Sequence, residues 1–104
     1  MNHAEQYLKE AIEVDPDFSW LYNGMGTVYL KQRKFKDAEE EYKKAIALDQ
    51  SFATPHYNLG IIYSEQRKVE AAKKEYEEAL RLDPELTLAR KNLEKLKKEM
   101  EKGE

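Results

Sequence analysis

The sequence predicts an all-α protein, an α-α superhelix of stacked antiparallel helix hairpins, and three observations predict it. First, the string GTVYLKQRK from Gly26 to Lys34 is echoed by GIIYSEQRK from Gly60 to Lys68, 34 residues later. The echo continues through Ala38 and Ala72, Tyr42 and Tyr76, Ala45 and Ala79, and Asp49 and Asp83. A fixed period of this length marks a stacked-repeat array. Second, the spacing inside each unit is helical: Tyr22, Met25, Gly26 and Tyr29 recur at steps of three and four, as do Ala38, Tyr42, Ala45 and Ile46. Third, charged residues make up 38% of the chain, chiefly Glu and Lys among Ala and Leu, which suits helices with solvated outer faces. Disorder is opposed by seven Tyr and three Phe, most of them at positions the period repeats.

Taken in order, the elements number about six helices in one domain spanning 1–104. Residues 1–18 place Ala4, Leu8, Ala11 and Val14 on second-helix positions, so they form the back half of a repeat. Residues 19–52 and 53–86 are complete repeats, each with a polar Gln-Arg-Lys turn between its two helices. Residues 87–104 form a capping helix: Ala89, Leu93, Leu96 and Met100 make an apolar stripe, while Arg90, Glu94 and Lys97 make a charged face. Gly26 and Gly60 are expected to face Ala38 and Ala72, letting paired helices approach closely, with Tyr29, Tyr42, Tyr63 and Tyr76 filling the space beside them.

These positions resemble the tetratricopeptide repeat family. Gly26, Tyr29, Ala38, Tyr42 and Ala45 match its small, aromatic and alanine positions, and Leu59, Gly60, Tyr63, Ala72, Tyr76, Ala79 and Pro84 match them again. Two departures stand out. Arg33 and Arg67 occupy the turn where the family usually has Gly, and Gln50 replaces the closing Pro that Pro16 and Pro84 keep. A left-handed Arg at either turn costs on the order of 1 kcal/mol relative to Gly.

Composition narrows the function. A net charge of −3, from 18 basic and 21 acidic residues, argues against nucleic acid as a partner. No apolar run approaches membrane-span length, so membrane insertion is not expected. The absence of Cys removes disulfides and thiolate metal sites and favours a cytoplasmic setting only weakly. With His3 and His56 as the only histidines, no catalytic residues, metal site or cofactor are expected. Gly24 and Gly26 lie inside a helical pattern and make no phosphate loop, and Gly24, a second glycine in one helix, has only the admission of a close neighbour as its expected purpose.

The resemblance implies a non-enzymatic interaction module, a scaffold or adaptor binding a protein or peptide on the concave face of its front helices. The expected contact residues are Trp20, Asn23 and Thr27, then Tyr57, Asn58 and Ile61, then Lys91 and Lys95. Beside each stands a plainer reading: Trp20 packing on Phe18 or on the first helix, the lysines simply solvated. Some family members clamp the acidic C-termini of chaperones with Lys, Asn and Arg. Here Asn58 fits the middle position, but Asn23 and Thr27 replace the first Lys–Asn pair and Leu88 and Asn92 stand where Lys and Arg are needed, so that ligand is not expected. Ala4, Leu8 and Ala11 are expected to lack a partner helix. Either the chain is an excerpt of a longer array, or this face pairs with a second copy as a homodimer. A substrate-docking part of a larger enzyme is the remaining alternative.

Overall fold

The computed structural model describes residues 3–102. They form α1 (His3–Val14), α2 (Ser19–Lys31), α3 (Phe35–Leu48), α4 (Ala53–Glu65), α5 (Val69–Leu82) and α6 (Thr87–Lys102), with no strand among the described residues. The two hairpins α2/α3 and α4/α5 carry the most extensive packing; α1 lies against α2 at one end and α6 against α5 at the other. The outline is elongated, 48 × 28 × 19 Å.

The hairpin turns explain both arginine departures. Arg33 and Arg67 adopt φ of 59° and 65°, in the left-handed region. In each turn the amide three residues past the helix reaches back across six residues, Lys34 N–H to the Tyr29 carbonyl at 2.9 Å and Lys68 N–H to Tyr63 at 2.8 Å. A second bond, from Arg33 to Leu30 and from Arg67 to Ser64, completes the left-handed helix stop that glycine usually occupies. Between repeats, Asp49 Oδ1 accepts from the Ser51 amide and Asp83 Oδ1 from the Glu85 amide, each aspartate closing the local turn with its own side chain.

The core is a pair of small–aromatic–small faces. Ala38, Tyr42 and Ala45 on α3, and Ala72, Tyr76 and Ala79 on α5, are buried. Ala38 and Tyr42 cluster with Leu59 and Ile62 of α4. The α5 face clusters with Ala89, Leu93 and Leu96 of α6. Helices α3 and α5 are thus each held between the first helices on either side.

The glycines seat rings. A β-carbon at Gly26 would lie 2.6 Å from the Tyr42 ring, and one at Gly60 would lie 2.5 Å from the Tyr76 ring. The nearest atoms to each missing β-carbon belong to the tyrosine one helical turn past Ala38 or Ala72, one of the rings expected beside these glycines. Gly24 gains a purpose as well, because the Leu8 methyls of α1 pack 3.2 and 3.3 Å from where its β-carbon would be. Leu8 is therefore half-buried and seated on α2, the helix that follows it; Ala4 is exposed and Ala11 half-buried.

Polar bonds join successive repeats. The Tyr63 hydroxyl donates to Glu39 Oε2 at 2.6 Å, Asn58 Nδ2 donates to Asn23 Oδ1 at 3.2 Å, and Arg33 pairs with Glu65 at 3.3 Å. Burial raises the Glu39 pKa, but hydrogen bonds from Tyr63 and Lys43 outweigh it and hold the carboxyl below its ordinary range.

Candidate functional site

The first helices of the two hairpins and α6 are successive members of one row, since each repeats the register of the one before. Between α4 and α6 lies a cleft of about 190 Å³ lined by Ile61, Ser64, Glu65, Tyr76, Asn92, Lys95, Leu96 and Glu99. An adjoining hollow of about 720 Å³ shares Ser64, Leu96 and Glu99 with it and adds Arg67, Val69, Glu70 and Met100. The lining is apolar where α5 and α6 meet and charged at its margins.

Helix geometry puts these side chains there. Asn92, Lys95, Leu96 and Glu99 lie three and four apart on one face of α6, and Ile61, Ser64 and Glu65 do so on α4. Tyr76 reaches the cleft from α5. Burial pushes its hydroxyl up to about 12, against a hydrogen bond with Asn92 that acts to lower it, so the phenol is neutral at physiological pH. Tyr57 is half-buried, its ring 6.1 Å from that of Tyr76.

Of the eight contact residues expected from sequence, Ile61 and Lys95 line this cleft. Lys91 is exposed outside its lining. Trp20 is 57% exposed and lies against Phe52, with ring centroids 4.6 Å apart. Asn23 and Asn58 bond each other, and Asn58 is buried. Thr27 Oγ1 lies 3.0 Å from the Tyr42 hydroxyl and donates to the Asn23 carbonyl at 3.1 Å. His56 is tied within its own hairpin, its Nδ1 2.8 Å from Glu75 Oε1. Asn92, Leu96 and Glu99 were not among the expected contacts; their spacing on α6, one turn apart beside Lys95, is the signal that could have found them.

The chemistry available is recognition: an apolar floor, an amide and ions of both signs. Among the described residues, no group of three or more His, Asp or Glu side chains is placed to hold a metal ion. No helix among them is long and apolar enough to cross a membrane.

The tetratricopeptide repeat family model matches residues 17–85. The chain belongs to the tetratricopeptide repeat family. Its solved relatives agree in fold. The first tetratricopeptide domain of human RPAP3 superposes with a TM-score of 0.88 at 27% identity, covering 95% of this chain and 78% of that one. The first such domain of Spaghetti (RPAP3), solved bound to the HSP90 peptide SRMEEVD, gives 0.85 at 27% identity, with 92% and 76% covered. The Arabidopsis OM64 tetratricopeptide domain gives 0.85 at 23% identity, with 91% and 78% covered, a likeness of fold alone. No curated protein sequence matches the chain.

Proposed function

We propose that this tetratricopeptide domain is a non-enzymatic scaffold or adaptor module, acting in a cytoplasmic setting, that binds a peptide segment across the row formed by α2, α4 and α6. The observation that carries this reading is the cleft between α4 and α6, where Ile61 and Leu96 offer apolar contact beside Lys95, Glu65 and Glu99. A peptide with an apolar anchor fits the Ile61–Leu96 floor, and an acidic neighbour of that anchor fits Lys95. Trp20, Tyr57 and Lys91 extend the same row of front helices and are the outer contacts of this reading, with Asn23, Thr27 and Asn58 bracing the backbone behind them.

Related domains support peptide binding as the class of function, since one is solved with the peptide SRMEEVD. That acidic tail is not the ligand proposed here, because Leu88 and Asn92 stand where a carboxylate clamp would have its basic pair. A peptide-array screen followed by fluorescence polarisation tests the reading. Ile61→Asp and Lys95→Glu should each weaken the peptides selected by the unaltered domain. Ligands that bind both variants as tightly as the original would place recognition elsewhere.

A further inference from the structure

Two charges border the floor of the cleft between α4 and α6, and neither is engaged within the molecule. Lys95 and Glu99 lie four residues apart on α6, about 6 Å along its axis, on the face that also presents Leu96. Both are exposed, and among the described residues neither has an ion-pair or hydrogen-bond partner. Glu65, the other carboxylate of the lining, is already held by Arg33 at 3.3 Å.

The order of the two residues explains why they stay open. Among the described residues, every ion pair within a helix has the acid first: Glu5 with Lys9, Glu39 with Lys43, Glu41 with Lys44 and Glu78 with Arg81. In that order the longer basic side chain, leaning towards the helix N-terminus, reaches back to the acid, and the helix dipole agrees. Lys95 followed by Glu99 is the reverse, the weaker order for a pair on one helix. The adjoining hollow extends the contrast, since Glu70 joins Glu99 there against the single base Arg67. The groove is therefore positive towards the start of α6 and net negative towards its end.

Resting on the reading of this cleft as a peptide site, we propose that Glu99 is a second specificity-determining residue beside Lys95. The partner is a peptide segment whose apolar anchor has an acidic residue on one side, for Lys95, and a basic residue on the other, for Glu99. A wholly acidic segment would set a carboxylate against Glu99 and Glu70, and a wholly basic one would set a cation against Lys95, so the groove disfavours both. Further chain leaves the site free. A helix after α6, placed as α3 and α5 are, would pack at Glu94, the counterpart of Gly26 and Gly60, and not over the cleft between α4 and α6.

The test uses the full chain on an array of nonapeptides. Each has a central Leu, Ile, Phe or Trp, and the residues on either side are Asp, Ser or Lys in every combination. The best binders are labelled with fluorescein and measured by fluorescence polarisation at low ionic strength. Peptides with one Asp and one Lys, in whichever order, should bind about two- to fivefold more tightly than those with two Asp or two Lys, the size expected of exposed charge pairs. Glu99→Lys should shift the preference to two Asp, and Lys95→Glu should shift it to two Lys. Both residues are exposed, so both variants should keep the melting temperature. Peptides that bind and are weakened by Ile61→Asp, yet show no preference for mixed charge, overturn this inference and leave the cleft standing. So does an unchanged preference in Glu99→Lys. If no anchored peptide binds, or Ile61→Asp binds them all as tightly, the cleft reading fails and this inference with it. Self-association in sedimentation that Ile61→Asp abolishes assigns the cleft to a second copy and overturns both.

Discussion

Helices α1 and α3 occupy the same register of the repeat, yet their fates differ. On α3, Ala38, Tyr42 and Ala45 are fully buried; on α1, Ala4 is exposed and Leu8 and Ala11 only half-buried. The residue types at these positions are alike, alanine, a larger apolar or aromatic group, and alanine again. What differs is the number of neighbours among the described residues: α3 lies between α2 and α4, while α1 packs chiefly on α2. In a repeat array, burial is a property of the junction, not of the helix.

The largest expected effect comes from emptying the best-covered seats. Tyr42→Ala and Tyr76→Ala should each cost about 3–5 kcal/mol in chemical denaturation, the range for removing a buried aromatic side chain. Tyr29 and Tyr63, half-buried beside these clusters, should cost less on truncation, and Leu8→Ala at the edge less again. Equal losses at Tyr42 and Leu8 would break the comparison of α3 with α1.

Two glycines on one helix sharpen the contrast. Gly26→Ala forces a methyl against the Tyr42 ring and should destabilise by about 1–3 kcal/mol, as overpacking does. Gly24→Ala meets only the terminal methyls of Leu8, on a half-buried edge side chain that can shift. The gain in helix propensity, about 1 kcal/mol, should then make Gly24→Ala neutral to stabilising. Thermal melts of the two variants check the opposite signs.

A smaller effect is expected at the turns. Arg67→Gly relieves a left-handed φ and should stabilise by about 1 kcal/mol. Arg33→Gly should gain less, because Arg33 also pairs with Glu65 and lies 5.0 Å above the Phe35 ring. The two melting temperatures, measured side by side, decide this.

The pH dependence follows the same seats. Burial raises the hydroxyls of Tyr42 and Tyr76, the latter to about 12. The unfolded chain loses those protons near the ordinary value of 10, so their contribution is complete below that pH and is lost as pH rises from 10 towards 12. Denaturation midpoints through this window should fall in step with tyrosinate absorbance, and Tyr76→Phe should reduce the slope.

Much of the fold is legible in the sequence because the period is strict. Gln32-Arg33-Lys34 and Gln66-Arg67-Lys68 mark both hairpin turns, and the left-handed arginines follow from their places in the family pattern. Contacts between repeats are less legible. They depend on how far one helix rotates against the next, which the pattern along a single helix does not specify. Trp20 therefore meets Phe52, 32 positions away. Asn23 finds Asn58 for the same reason. In the cleft, Ile61 and Lys95 could be placed from front-helix spacing, whereas Tyr76 enters from a second helix and needed the packing.

Native-state hydrogen exchange compares every helix in a single measurement and tests most directly whether neighbours determine burial and stability. Amides of α3, α4 and α5, covered on both sides, should exchange slowest and at a common opening free energy, with α1 exchanging faster by local opening. Protection of α1 equal to that of α3 would contradict the account.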